Sequence, residues 1–262
     1  MSRADRPGAS DEPFDADVHK TPDDEEDDDL AEPLERTSLP GALRRAAVDF
    51  YFQSIRLVPA NVVWGVLLVA LGWAAIGLGI WVAIVGAPLL GPPLAGIYRL
   101  AGLVTRGRHV VLSDAFAAAR ELFVPSLLLA AAVGWGLGLL ALNVAFGINS
   151  ASPLGWGFAT IAGWGAVALL IYAVVVWPLL ADPARVDEPA RERVRLAGYV
   201  VLAAPFRMFG LTVIVLVLTV VSTIAFAALV TISVAYVALV SSHMVLPDAD
   251  RIVERLAERD RS

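Results

Sequence analysis

The 262-residue chain has no cysteine, which excludes a disulfide framework, iron–sulfur clusters, zinc ribbons and thiol catalysis. Histidine is almost as scarce. His19, His109 and His243 are the only three, and no two stand at metal-ligand spacing, so neither a metal nor another cofactor is expected. A serine hydrolase needs a buried base beside its nucleophile, yet Ser222, Ser233, Ser241 and Ser242 have only His243 near them and no acid within their apolar stretch. These residues predict no enzyme. Charge is missing over the longest distances. No Asp, Glu, Lys or Arg occurs between Arg56 and Arg99, between Glu121 and Asp182, or between Arg207 and Asp248. Ionisable groups within spans mark proton and ion coupling, so a pump or a proton-coupled carrier is not expected either.

What fills these three blocks is apolar. Hydrophobic residues make up 58% of the chain, against about 45–50% in an ordinary soluble domain. One spanning helix needs about 20 residues at about 1.5 Å each, so each block has room for two. The predicted fold is therefore all-α: a polytopic membrane protein of six transmembrane helices arranged as three hairpins. Arginines decide its orientation. Arg44, Arg45 and Arg56 precede the first block, while Arg99, Arg106, Arg108 and Arg120 separate the first two. Arg185, Arg191, Arg193, Arg195 and Arg207 separate the next pair, and Arg251, Arg255, Arg259 and Arg261 follow the last. Hairpins place all of them on one side, and positive loops are retained in the cytoplasm. Both termini are thus expected to be cytoplasmic, with the lipid bilayer as the first partner and no nucleic acid.

The acidic charge is concentrated at one end. Residues 1–40 carry 14 Asp/Glu against 4 Lys/Arg, whereas residues 41–262 carry 12 against 16. Residues 1–38, with the run DDEEDDD at 23–29 and almost no aliphatic residues, cannot bury enough apolar surface to offset chain entropy. They are expected to form a disordered acidic cytoplasmic tail, followed by a membrane domain at 39–250 and a charged cytoplasmic C-terminus at 251–262. The tail holds no apolar core of a secretory signal, so the first apolar run is expected to be an uncleaved anchor.

Break signals place the turns. GAPLLGPP (86–93) is expected to end a first span of about residues 61–85, and GINSASP (147–153) to turn the second block. The third block has no comparable signal between 208 and 247, and length alone points to Ala225–Ala228. Trp64 with Trp81, and Trp156 with Trp177, are each spaced to reach the two ends of a single span, where they are expected to form interfacial belts. Each block is entered through a proline, Pro59, Pro125 or Pro205, behind a short half-apolar stretch. This predicts a threefold unit of an amphipathic cytoplasmic helix, a proline bend and a hairpin, set against the plainer reading of ordinary arginine-flanked span starts.

The richest motif is GPPLAGIYRL (91–100). Pro92 and Pro93 suit a helix start. Gly91, Ala95 and Gly96 leave a smooth face, while Tyr98 and Arg99 are expected to anchor the span at the membrane interface. The stretch from Pro88 to Leu103 falls short of one full span, so a short or partly re-entrant element is expected. Small residues recur at every fourth position in Ala130, Gly134, Gly138 and in Gly155, Ala159, Gly163, which suits close helix packing within the chain or against another subunit. Asn143, Thr160 and Tyr172 are the polar groups that could line a passive path, and Thr219, Thr223 and Thr231 are expected to bond back to their own helix.

NVVW (61–64), GPPLAGIYRL, SDAF (113–116), WPLL (177–180) and APFRM (204–208), taken in order over residues 43–250, resemble the YesL-like family of small bacterial membrane proteins. The 19 arginines against a single lysine suit a GC-rich bacterial coding sequence, and with it a bacterial inner membrane. The resemblance implies an accessory role in carbohydrate uptake and supplies no catalytic residues. Two functions follow as expectations. One is a non-enzymatic accessory or regulatory component of a transport assembly, in contact with other membrane subunits or a second copy, with Arg191, Arg193 and Arg195 as partner contacts. The other is a stand-alone permease for a neutral or apolar solute.

Overall fold

The computed structural model describes residues 34–261 except Ala151, without the side chains of Ala227, Leu229 and Asp260. The acidic run at 23–29, and the expected disorder around it, lie outside the described residues. Every element among the described residues is helical: α1 (Leu39–Leu78), α2 (Ile80–Gly86), a 3-10 segment (Ala87–Leu90), α3 (Gly91–Thr105), α4 (Leu112–Glu121), α5 (Phe123–Asn149), α6 (Pro153–Leu180), α7 (Ala190–Ala203), α8 (Pro205–Ile224) and α9 (Val234–Arg261). Short 3-10 (Pro183–Arg185), single-turn helical (Phe226–Ala228) and π-helical (Leu229–Ser233) segments complete the order. Six of these stretches are long and apolar enough to cross a membrane. They pair as the three hairpins that the charge-free blocks predict.

The first hairpin turns earlier than its break signals suggest. Ser38 caps α1 by accepting from the Gly41 amide at 3.3 Å, and the helix runs 40 residues through Pro59 without a break. It stops at Gly79, whose φ of +101° is open to glycine and strained for other residues. The second span is the whole of Ile80–Thr105. GAPLLGPP is a kink within it: Pro88 lies in the first turn of the 3-10 segment and Pro92 at the start of α3, where a missing N–H leaves no helical bond unmade. The expected short or re-entrant element is thus a full 26-residue span. Trp64 and Trp81 stand on different spans and cannot belt one helix, whereas Trp156 and Trp177 share α6.

The amphipathic entrance is a separate helix in two of the three units. Leu122 and Ala204 leave helical geometry and set α4 and α7 apart from the spans they precede. Pro59 meets no such neighbour. Its fixed φ is compatible with a helix, and the first entrance and span are one rod. The third hairpin turns at Ala225, where length alone had put it.

The last helix is the centre of the bundle. Its apolar window is 72% buried, against 6–33% in the other five. Leu239, Met244 and Leu246 on α9 pack with Leu57, Ile97, Leu100, Leu179 and Met208. This core lies in the half that holds the arginines. Towards the opposite turns, Trp73, Ile76, Trp81, Phe146 and Leu154 are exposed, which suits side chains whose solvent is lipid.

Residues 34–38, assigned to the tail by composition, are built into the fold. Thr37 is buried and its hydroxyl donates to the His243 carbonyl at 3.1 Å, while Arg36 Nε lies 2.8 Å from Asp248 Oδ1. Polar bonds hold this segment where apolar burial could not.

Candidate functional site

The GPPLAGIYRL motif is where the helices approach most closely. A Cβ on Gly91 would collide with the carbonyl of Ser126, and one on Gly96 would come within 2.5 Å of the Ala115 carbonyl oxygen. These two glycines let α3 lie directly on α5 and α4. That closeness draws the end of the motif inward. Tyr98 is buried and stacks on Trp177, with ring centroids 6.1 Å apart, so it is a core residue and not an interfacial anchor. Arg99 is also buried. Its Nη2 donates to both carboxylate oxygens of Glu121 at 3.3 Å, and its Nη1 reaches the Asp182 carbonyl at 3.5 Å.

Beside Arg99 four charges are sealed together. Arg106, on the loop after α3, grips Asp182 with Nε at 2.9 Å and Nη2 at 2.8 Å. The same guanidinium donates to both oxygens of Asp250 at 3.3 Å. Arg185 closes the ring, with Nε 3.1 Å from Asp182 Oδ2 and Nη2 2.6 Å from Asp250 Oδ1. The side chains of Arg106 and Asp182 are 2% and 0% exposed. Two cations face two anions, and the Ala184 amide takes a further lone pair of Asp182 at 3.1 Å. Burial by itself would lower the pKa of Arg106, but the hydrogen bonds and charges of Asp182 and Asp250 outweigh it and raise the pKa. The network joins the loop after α3, the loop after α6 and the central helix α9.

Three further ties lock this end. Arg193 donates to the carbonyls of Leu180, Glu188 and Val186 at 2.6, 2.9 and 2.9 Å, which fastens the α6–α7 loop. Burial, reinforced by the charge of Arg99, lowers its pKa. Arg193 is therefore a buried brace and cannot serve as the partner contact its neighbours suggest. Arg191 and Arg195 do face outward, and Arg195 Nε donates to the Tyr199 hydroxyl at 3.0 Å. Arg207 Nε lies 3.0 Å from Asp248 Oδ2, an ion pair without hydrogen-bond alignment. His243 Nε2 is 2.7 Å from Asp49 Oδ2, linking α9 to α1.

No protein-family model, no curated protein and no solved structure matches the chain. The reading of function therefore rests on its own residues.

Deeper in the bundle, the π-helical segment is held by Asn61. Its Nδ2 donates to the Val230 carbonyl at 2.7 Å and its Oδ1 accepts from the Ala235 amide at 2.8 Å. A π segment leaves backbone groups out of register with an α-helix, and this amide meets one on each side of the mismatch. A cavity of about 240 Å³ lies against this place, lined by Trp64, Leu94, Tyr98, Trp177, Thr219 and Ser233.

The polar residues expected to line a path do not converge there. Asn143 and Thr160 are exposed and bond to their own helices at the Leu139 and Trp156 carbonyls, and the Tyr172 hydroxyl donates to Val194. Thr219 and Thr223 bond back to Val215 and Thr219. Of the span-opening prolines, Pro125 lies in the first turn of α5 and Pro205 begins α8, so both shape the frame and not a site. Asn61, Asp182, Asp248 and Asp250 carry no role in the sequence-based reading. Asp182 and Asp248 each sit at the arginine-rich end of a span beside a proline, in ADP and LPDAD, which is the one local signal they offer.

Proposed function

We propose that this chain is a non-enzymatic integral membrane protein of the YesL-like kind, serving as an accessory or regulatory component of a transport assembly, with carbohydrate uptake as the first system to examine. It sits in a bacterial plasma membrane with the arginine-rich end and both termini in the cytoplasm. The observation that carries the reading is a groove of about 820 Å³ in the half opposite the arginines, lined by Trp81, Ile84, Gly134, Trp135, Gly138 and Leu142. Cβ atoms placed on Gly134 and Gly138 would meet nothing within 4 Å. The Trp135 indole donates to the Ile84 carbonyl at 2.9 Å and holds one wall in place. Within lipid, helices associate through close packing of such small-residue faces, and the occupant that fits is one transmembrane helix of a partner subunit. Gly155 and Ala159, from the other small-residue row, are already used inside the chain against Gly147.

The test is solute flux through the purified protein in liposomes, together with uptake in cells. The isolated chain should move no solute. Gly134→Leu with Gly138→Leu should slow uptake in cells while leaving the melting temperature of the purified protein unchanged. Solute flux through the isolated chain would overturn the accessory role. Reporter fusions at residues 108 and 188 should read cytoplasmic and one at 150 external. The opposite pattern would refute the orientation. The alternative of a stand-alone permease for a neutral or apolar solute draws on the cavity beside the π segment, since broken helices frequently line transporter sites.

A further inference from the structure

A third, smaller pocket lies at the arginine-rich end, outside the sealed network. α7 stops at Ala203, and Ala204 (φ −142°, ψ 58°) redirects the chain into α8. The C-terminal part of α9 passes beside this bend. Between them lies a pocket of about 110 Å³ lined by Arg36, Asp248, Arg251 and Arg255, with Val200 and Ile252 among its apolar walls.

Charge is unbalanced here in a way it is not next door. Asp248 is the pocket's only carboxylate, and it is shared between Arg36 at 2.8 Å and Arg207 at 3.0 Å. Arg251 and Arg255 stand one helical turn apart on the same face of α9, both exposed, and neither enters an ion pair among the described residues. Three arginines thus line the pocket beside one carboxylate, and that carboxylate is also drawn on by Arg207. A folded chain that matches two buried arginines with two aspartates a few residues away leaves this cluster open to an anion from outside.

The shape selects the anion. The volume is that of a few water molecules, enough for one phosphate-sized group. Guanidinium forks match phosphate oxygens in paired hydrogen bonds. Leu202 and Phe206, on either side of the bend, are 79% and 90% exposed. Large apolar side chains reaching outward beside an arginine pocket suit a membrane interface, where headgroup phosphates lie over acyl chains. We propose that this pocket binds a phosphate group, and that its source is an anionic phospholipid.

Purified full-length protein in detergent is titrated with dioctanoyl phosphatidylglycerol, dioctanoyl phosphatidylcholine and inorganic phosphate, read by thermal shift and by native mass spectrometry. Phosphatidylglycerol should bind saturably, at least tenfold more tightly than phosphatidylcholine, whose choline the arginines repel. Arg251→Gln with Arg255→Gln should weaken that binding about 30-fold, at about tenfold for each 1.4 kcal/mol and about 1 kcal/mol per arginine. Both side chains are exposed, so the melting temperature without lipid should hold. Arg191→Gln with Arg195→Gln removes the same charge elsewhere and should change affinity less than threefold. Inorganic phosphate that binds with the same dependence on Arg251 and Arg255, while phosphatidylglycerol does not, would support the phosphate site and assign it a soluble source. Equal losses in the two double variants, or no binding of either anion, would overturn the proposal.

Discussion

Replacing Asp182 by asparagine tests whether the sealed network holds the arginine-rich end together. The substitution keeps the shape and removes one charge. Asp182 accepts from Arg106 at 2.9 and 2.8 Å, from Arg185 at 3.1 Å and from the Ala184 amide at 3.1 Å. In the variant an amide NH2 faces two guanidinium groups, and Asp250 alone is left between them. Removing one partner of a buried ion pair costs about 3–5 kcal/mol, because the orphaned charge stays desolvated. Asp182→Asn should therefore destabilise the protein by about that amount, whereas Arg195→Gln, on the exposed face of α7, should stay within about 0.5 kcal/mol of the parent.

The assay is equilibrium unfolding in mixed micelles, with SDS as the denaturant. A third variant separates lost charge balance from lost shape. Arg106→Leu with Asp182→Leu deletes one cation and one anion and leaves the 2.6 Å pair of Arg185 and Asp250 matched. Buried pairs replaced together by apolar residues are often near neutral, so this double variant should recover at least half of the single variant's loss. An Asp182→Asn protein within about 1 kcal/mol of the parent would refute the argument that these charges are buried and mutually dependent.

Other outcomes follow from the same structure. Asn61→Leu should loosen the π segment by about 1–3 kcal/mol for the buried backbone groups it abandons, seen as faster amide exchange at Ala235 while α5 and α6 stay protected. Gly96→Ala should lower folded yield, since the new methyl meets the Ala115 carbonyl oxygen at 2.5 Å, whereas Gly134→Ala should be neutral because nothing lies within 4 Å. Deleting residues 2–33 should leave the melting temperature unchanged. Extending the deletion to residue 38 should lower it, because it removes the Arg36–Asp248 pair and the Thr37 carbonyl that Arg207 Nη2 grips at 2.7 Å.

The hairpins were legible because two independent features agree. The charge-free blocks at 57–98, 122–181 and 208–247 leave room for paired spans, and the arginines between them favour one side. The turn at Ala225 was legible from length, since the 20 residues of α8 from Pro205 already cross a bilayer. The first turn was misplaced because GAPLLGPP carries stronger punctuation than an isolated Gly79, and prolines at a helix start read the same in sequence as prolines that end one. Arg99 and Tyr98 read as interfacial anchors because nothing local shows that Glu121 of α4 will pair with the one and Trp177 of α6 stack on the other. The ion network was invisible for a related reason. Asp182 and Asp250 are separated by the whole of α7, α8 and much of α9. Each looks like an ordinary loop charge, and only the fold brings both to Arg106.

The two halves of the bundle are held by different physics. The arginine-rich half has ion pairs, carbonyl ties and a close-packed core, and each buried charge there penalises any arrangement that separates it from its partner. The opposite half has few such tethers. Its first turn rests on Gly79 and its third on Ala225, and Gly72, Gly77, Gly134, Gly138 and Gly157 face open space. Lipid tails are as apolar as leucine, so this half gains no hydrophobic drive towards closure and depends on packing alone. A helix with open glycines therefore has unmade packing contacts, which another helix can supply and a mobile acyl chain matches less well. Local opening should accordingly be easier in the far half, seen as faster amide exchange around Gly79 than around Asp182, with the charged end as the fixed frame. A partner helix seated at Gly134 and Gly138 would act directly on the half with fewer tethers.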